Sequence, residues 1–265
     1  MMLDVEETYP HAAAIIEPDD AGRDIAGAAT IVAEMTRRYG GFDGAALLRP
    51  LIEREFAGRL AVVSSFGTEA AVILAHVAEI DRNTPILFLD TGRLFGETLR
   101  YRDQLVAFLG LRDVRTICPD AGRLMATDPD NTLWLNDPDA CCTLRKTEPL
   151  DHALTGFAAW VSGRKRYHGG TRSALSLFEQ DACSRLKINP LAGWSKTRID
   201  AEFAARGLPR HPLEAEGYLS VGCLTCTDRV SPGEELRAGR WRHSSKTECG
   251  IHHIPTRCGY GRDRP

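Results

Sequence analysis

The sequence lacks the features that would place the protein in a membrane, in a secretory route or on duplex nucleic acid. Its longest uninterrupted apolar runs are far below the roughly 18 residues that a membrane span needs. Its first 20 residues are acidic and contain no basic segment, so they do not form a signal peptide. Its formal charge of -3 lacks the positive excess usual in binders of the phosphate backbone. We therefore expect a soluble cytoplasmic protein with no membrane or nucleic acid partner.

The sequence also lacks the glycine-rich motifs of two common nucleotide-binding loops. It contains neither Gly-x-x-x-x-Gly-Lys-Ser/Thr nor Gly-x-Gly-x-x-Gly, and it shows no internal repeat of 20–50 residues. A chain of 265 residues is long enough for one large α/β domain or two small domains.

From residue 60 onwards, short apolar runs alternate with helical patterns. Strands are predicted at residues 60–65, 84–89, 113–117, 157–162 and 186–191, with helices at 70–80, 97–109 and 195–206. This alternation predicts an α/β fold with a mostly parallel sheet flanked by helices.

Ligands of such sheets bind beyond the carboxyl ends of the strands. Two segments follow strands there and are predicted to line one pocket, where backbone N–H groups and a helix start suit an anion. Ordinary turns, capped by Thr68 and by Asp90, are the alternatives. The candidate residues are Ser64, Ser65, Phe66, Gly67, Thr68, Glu69, Asp90, Thr91, Gly92 and Arg93.

The predicted organisation has three parts. Residues 1–58 form an N-terminal helical segment with a kink at Pro50. Residues 59–240 form the sheet domain. Residues 241–265 are rich in Gly, Pro, Arg and His with little apolar periodicity, so they are predicted to form a mobile C-terminal tail.

Four of the eight cysteines form two close pairs, Cys141-Cys142 and Cys223-x-x-Cys226. Without a secretory signal, metal or redox chemistry is expected rather than a disulfide framework. Adjacent cysteines on a helix diverge by about 100°, which suits an iron–sulfur cluster better than a tetrahedral zinc ion. A zinc site and four unliganded thiols are the alternatives. Asp139 is placed to cap a helix that starts at the first pair, with both thiols near its N-terminus.

A further cysteine, Cys249, is the candidate nucleophile. Lys246 and His252 lie close to it in sequence and arginines precede it, so we expect a lowered pKa and a raised thiolate fraction. Because it has no Cys-x-x-Cys partner, an external thiol would have to release any covalent intermediate. An exposed tail cysteine is the alternative. The basic loop 163–172 suits a phosphate or sulfate, with a solvated loop as its alternative.

Together, five motifs resemble the assimilatory adenylyl-sulfate (APS) reductase family, over about residues 55–255. They occur in the family's order and are jointly specific. They are Ser64-Ser65-Phe66-Gly67, Leu89-Asp90-Thr91-Gly92-Arg93-Leu94-Phe95, Cys141-Cys142-x-x-Arg145-Lys146, Cys223-x-x-Cys226 and Lys246-Thr247-Glu248-Cys249-Gly250-Ile251-His252. The resemblance implies an adenine-nucleotide α-hydrolase-like (Rossmann-like) sheet that holds adenosine 5′-phosphosulfate.

The resemblance also implies a cofactor, a partner and site residues. APS would be reduced to sulfite and AMP through an S-sulfocysteine on Cys249, with thioredoxin as electron donor, in assimilatory sulfate reduction and cysteine biosynthesis. A 4Fe–4S cluster would be held by Cys141, Cys142, Cys223 and Cys226. The cationic side chains expected at the phosphosulfate are Lys146, Arg164, Arg172, Arg237 and Arg240. A homo-oligomer is left open.

Departures from the family pattern and rival functions remain. The family usually carries a Gln-Ser pair before the second arginine of the basic loop, where this chain has residues 167–171, so Arg172 is a weaker assignment than Lys146. An extra cysteine, Cys258, is either a resolving thiol or incidental. The nearest alternative function is PAPS reduction or dual use of APS and PAPS. Paired cluster cysteines favour APS, because family members restricted to PAPS generally lack them. A zinc- or cluster-bearing nucleotide-binding regulator is the distant alternative.

Overall fold

A six-stranded sheet lies at the centre of the computed structural model, which describes residues 25–252, with side chains from residue 30 onwards. The strand order is β3-β2-β1-β4-β6-β5, and all neighbours run parallel except β5, which is antiparallel to β6. The strands are β1 Leu60–Ser64, β2 Ile86–Leu89, β3 Val114–Ile117, β4 Ala159–Ser162, β5 Phe178–Gln180 and β6 Leu186–Ile188.

Helices within residues 25–252 cover both faces of the sheet. They are α1 Ile25–Tyr39, α2 Gly44–Pro50, α3 Ala70–Ile80, α4 Gly96–Leu109, α5 Ala121–Thr127, α6 Leu133–Asn136, α7 Pro138–Cys142, α8 Glu148–Ala153 and α9 Lys196–Arg206. Two π-helical turns, Leu51–Glu55 and Thr143–Thr147, continue α2 and α7. None of these described helices is long and apolar enough to cross a membrane.

Alternate residues of the central strands enter two separate apolar layers. Val62 of β1 packs into the larger layer with residues of α3, α4 and α9, whereas its neighbour Ala61 packs into the smaller layer with Leu150 of α8. The same alternation separates Phe88 from Leu87 in β2. Because side chains of a strand point alternately to the two faces, burial of both faces explains why these strands are uniformly apolar.

Local signals set several boundaries where the sequence predicts them. Helix α9 begins after Ser195, whose hydroxyl accepts the Arg198 N–H at 3.2 Å, and ends at Gly207 with φ 57°. Helix α2 ends at Pro50, the predicted kink, and the chain continues as a π-helical turn.

The prediction of a mostly parallel sheet flanked by helices is confirmed. Strand β5 is missed by the sequence analysis. It has three residues and reaches β6 through a short turn in which Ser184 has φ 61°, so neither alternation nor a crossover helix marks it. The predicted tail is described as far as His252, and Cys258 lies outside the described residues.

Candidate active site

A cavity of about 190 Å³ opens at the carboxyl ends of β1 and β4. Strand β1 pairs with β2 on one side and β4 on the other, so the connections that leave its two neighbours diverge there. This reversal of strand order is where open α/β sheets bind ligands. The lining includes these predicted residues: Ser64, Ser65, Gly67, Thr68, Glu69, Lys146, Arg164, Arg172, Arg237, Arg240 and Cys249.

The turn after β1 is anchored in the core by Phe66. This residue has φ 48°, an uncommon conformation for a bulky side chain, and its ring is fully buried with its edge against Phe88 at 5.4 Å. Its backbone N–H donates to the Ser64 hydroxyl at 3.2 Å. Phe66 therefore shapes the turn from beneath, while its neighbours line the cavity. Helix α3 starts at Ala70, and Thr68 does not cap it but donates to the Leu219 carbonyl.

Residues 90–93, which the sequence predicts to line the same pocket, lie between two residues that do line it, Leu89 and Leu94, but are not themselves part of the lining. Asp90 accepts the Gly92 N–H at 2.9 Å, so the turn-capping alternative holds there. Thr91 shares a hydrogen bond with the Cys223 thiol at 3.3 Å, and the Arg93 carbonyl accepts the Leu224 N–H at 2.8 Å. The segment supports the Cys223–Cys226 loop instead.

The prediction that Asp139 caps the Cys141-Cys142 helix is wrong. Asp137, not Asp139, caps α7, and its carboxylate accepts the N–H groups of Asp139 and Ala140. Pro138 occupies the first turn, where its missing N–H costs nothing. The two cysteines end α7 and are followed directly by the π-helical turn, so they lie within a longer helical segment rather than at a helix N-terminus.

Three of the paired thiols lie within electrostatic reach of one another. Burial raises the pKa of Cys141, charge on Cys223 and Cys226 raises it further, and Arg145 opposes both. Arg145 connects two loops. It donates to the Thr91 carbonyl at 3.1 Å, in the turn after β2, and to the Asp128 carboxylate at 2.6 Å, in the segment after α5.

The donor chemistry of the four paired cysteines fits a four-thiolate group. All four thiols are free. Cys142 is turned toward Cys249, with which its thiol shares a hydrogen bond. Between residues 25 and 252, no group of three or more His, Cys, Asp or Glu side chains stands close enough to hold a metal ion. The four side chains are of the type that a four-thiolate group requires, and Cys142 would have to give up its contact with Cys249 to bind that group.

Cys249 lies in the cavity beside Cys142 and Lys146. The hydrogen bond from Cys142, followed by the charges of Lys146 and Arg240, outweighs burial and holds the pKa of the Cys249 thiol well below its usual value. Gly250 brings the chain close to the helical segment, because a Cβ there would lie 3.0 Å from the Thr147 hydroxyl. The cations beside Cys249 therefore favour the thiolate, which is the nucleophilic form of cysteine.

Ion pairs fix the segment that carries Cys249. Lys246 pairs with Asp139, the residue predicted as a cap. Glu248 pairs with Arg172 and Arg237, which come from the basic loop and from the chain after Cys226. The position of the candidate nucleophile thus depends on long-range charge pairs.

Arg240 approaches the cavity across a glycine. Its guanidinium lies over the Trp241 ring at 4.4 Å and so close to Gly222 that a Cβ there would collide with Nη1. Within the described residues its buried Nε has no hydrogen-bond partner. This leaves cationic donor capacity next to the cavity.

Sequence reasoning did not identify a buried network around Glu69. The Glu69 carboxylate accepts from Lys165 at 2.9 Å, from the Tyr167 hydroxyl and from His168 Nε2 at 3.0 Å. Burial opposes this charge, but Lys165 and His168 outweigh it and lower the pKa of Glu69. Because Arg172 can only donate to His168 Nδ1, the histidine proton lies on Nε2. Residues 165–168 occupy the loop where the family pattern is interrupted, which is the one signal that could have found them.

The chain is similar to known proteins in sequence and in fold. Residues 59–229 match the phosphoadenosine phosphosulfate reductase domain family. The chain is 45% identical over 220 residues to an adenosine 5′-phosphosulfate reductase of Chelativorans sp. (strain BNC1), covering 83% of this chain and 89% of that protein. It is 48% identical over 211 residues to a protein of the same name from Mesorhizobium japonicum, covering 77% and 83%. A solved phosphoadenylyl-sulfate (PAPS) reductase from Candida auris shares the fold, with a TM-score of 0.64, 22% identity and coverage of 75% and 96%.

Proposed function

The chain belongs to the phosphoadenosine phosphosulfate reductase family, and from this premise we propose that it reduces adenosine 5′-phosphosulfate (APS) to sulfite and AMP. The observation that carries the proposal is the position of the Cys249 thiol next to Lys146 and Arg240, in the cavity at the strand-order reversal. A thiolate surrounded by cations suits attack on a sulfur atom that bears an anionic leaving group.

In the first step, the Cys249 thiolate attacks the sulfate sulfur of APS. The bond between this sulfur and the bridging oxygen breaks, AMP leaves with the electron pair, and Cys249 becomes an S-sulfocysteine. Five cations in the cavity lining would bind the phosphosulfate and stabilise the charge that develops on the leaving phosphate: Lys146, Arg164, Arg172, Arg237 and Arg240. Residues 64–69 would hold the nucleotide.

In the second step, a thiolate of a dithiol protein attacks Cys249 Sγ. Sulfite leaves with the electron pair of the S–S bond, and a mixed disulfide forms. The second thiol of the donor then releases Cys249 and leaves the donor oxidised, so two electrons reach the substrate. We propose thioredoxin as this donor and the cytoplasm as the compartment.

Cys141, Cys142, Cys223 and Cys226 would hold the iron–sulfur group that the family implies. The group would supply a fixed charge that tunes the electrostatics of the site, while the electrons come from thiols. The pKa of Lys146 would respond to this charge. Burial opposes its ammonium form, while charges on Cys223, Cys249 and Cys142 raise its pKa.

The test is sulfite release by anaerobically purified protein with thioredoxin, from APS and from PAPS in parallel. We expect release from APS and little from PAPS. Comparable release from both would replace the proposal with a dual-substrate reductase. Release from neither substrate, with iron and acid-labile sulfide present, would overturn the enzymatic function.

A further inference from the structure

Two of the cations proposed to bind the phosphosulfate are occupied by a carboxylate of the chain itself. Arg172 donates from Nε to Glu248 Oε2 and from Nη2 to Oε1 at 2.8 Å. Arg237 donates from Nη2 to the same Oε1 at 3.2 Å. A parallel pair of hydrogen bonds from one guanidinium is also how arginine binds phosphate, so a carboxylate here uses the donors an anionic substrate would need.

The Glu248 carboxylate is a buried and ionised member of the cavity lining. The residue is 4% exposed. Burial opposes its charge, but hydrogen bonds from Arg172 and the charges of Arg172 and Arg237 outweigh it and lower the pKa of Glu248 to about 2. Such a buried charge persists only while its partners stay in place, so any anion that takes these partners must also move the carboxylate.

Glu248 is also attached directly to the candidate nucleophile. Its Oε1 accepts the backbone N–H of Cys249 at 2.9 Å. Moving the carboxylate therefore breaks a hydrogen bond at the residue that bears the reacting sulfur. The arginines come from other parts of the chain, so the contact joins the Cys249 segment to the body of the protein.

We propose that Glu248 is an internal anion, whose carboxylate holds Arg172 and Arg237 until the phosphosulfate group of the substrate takes the same donors. Substrate entry and release of the Cys249 segment from these arginines are then a single exchange. The phosphosulfate carries more negative charge than one carboxylate, which favours the exchange at these two cations. The inference rests on the proposed function, because it requires Arg172 and Arg237 to bind the substrate.

Isothermal titration of APS into protein carrying Cys249→Ser, which prevents turnover, tests the exchange. Glu248→Gln in this background should bind APS about tenfold more tightly, the gain expected when the competing carboxylate occupies the arginines roughly nine-tenths of the time. Glu248→Asp keeps the charge on a shorter side chain and should give a smaller gain. The matched control is Glu234→Gln, which removes a similar two-bond pair with Arg242 outside the cavity and should leave APS affinity unchanged.

A second measurement needs no substrate. Lys246 is buried and paired with Asp139, so trypsin should cleave the Lys246–Thr247 bond slowly. Glu248→Gln should accelerate this cleavage several-fold, because the following segment loses its charged contacts, whereas Glu234→Gln should not. A merely structural role would speed cleavage without tightening APS binding.

The two proposals fail in different ways. If Arg172→Ala weakens APS binding but Glu248→Gln leaves it unchanged or weaker, the exchange is overturned and the proposed function stands. If APS does not bind, or binds equally well after Arg172→Ala, the substrate assignment of the arginines fails, and the exchange fails with it.

Discussion

The sheet and the segment of residues 241–252 are held in place by different forces. Every residue of β2 is buried in an apolar layer. In the segment, Trp241 is the large buried apolar side chain, and Lys246 and Glu248 are fixed by ion pairs with distant parts of the chain. Apolar burial does not respond to the charge of a ligand, whereas an ion pair in a pocket can exchange one anion for another. The molecule thus combines a fixed scaffold with a nucleophile on an exchangeable support.

The largest effect should come from the nucleophile. Cys249→Ser removes the thiolate, so sulfite release should fall by at least about 10³-fold, as is usual when a catalytic nucleophile is lost. The stability of the scaffold should not change, so the melting temperature should stay within a few degrees of the unsubstituted protein. Cys118→Ser, at an exposed free thiol, is the matched control and should keep full activity. Near-normal turnover in Cys249→Ser would place the chemistry elsewhere.

The scaffold should show the opposite pattern. Leu105 of α4 is fully buried, and Leu105→Ala should lower the free energy of unfolding by about 2–5 kcal/mol through lost burial and the cavity left behind. The KM for APS should not change in protein that remains folded. Phe108→Ala on the same helix truncates a ring that is 54% exposed and should cost far less. Urea titration measures both, and equal losses would mean that burial does not set the stability of this region.

This difference also explains how much the sequence could predict. Apolar runs predict the strands, and capping residues such as Ser195 and Gly207 predict the ends of helices. Both are local signals. The basic loop and Cys249 could be identified from composition and from the family motifs. Their assembly into one cavity follows from the strand order, whereas the alternation of strands and helices predicts a parallel sheet without fixing the order of its strands.

The remaining features depend on contacts that no local pattern encodes. Glu248 lies 76 positions from Arg172, and no sequence pattern near either residue predicts that they pair. Residues 90–93 follow the end of β2, whose Leu89 lines the cavity, but Thr91 and Arg93 contact the Cys223–Cys226 loop, which lies far away in sequence. The cap at Asp137 rather than Asp139 reflects competition between two similar residues, decided by Pro138 in the first turn.

One part of the scaffold should respond to pH. Burial lowers the pKa of His211 to about 4, and its ring is held neutral, since Nδ1 accepts the Leu213 N–H and Nε2 then donates to Thr98. The folded state resists protonation below the usual histidine pKa of about 6.5, so the stability is complete above that pH and is lost as pH falls toward 4. The loss should reach about 3 kcal/mol.

Urea midpoints between pH 7 and pH 4.5 measure this loss, and His211→Asn should reduce the slope. The control is His243→Gln, at a side chain that is 85% exposed, which should leave the slope unchanged. An unchanged slope in His211→Asn would assign the pH response to other groups.

The smallest effect should come from one methyl group between the two regions. Gly222→Ala places a Cβ where the Arg240 guanidinium lies, and because this is the end of a flexible side chain, the arginine can move aside at little cost to stability. It would then leave its place next to the cavity, so the KM for APS should rise about fivefold while the melting temperature barely changes, a loss of about 1 kcal/mol in binding. Gly41→Ala adds the same methyl group where nothing lies within 4 Å and should change neither quantity. If Gly222→Ala instead lowers stability and leaves KM unchanged, Arg240 belongs to the scaffold and not to the substrate site.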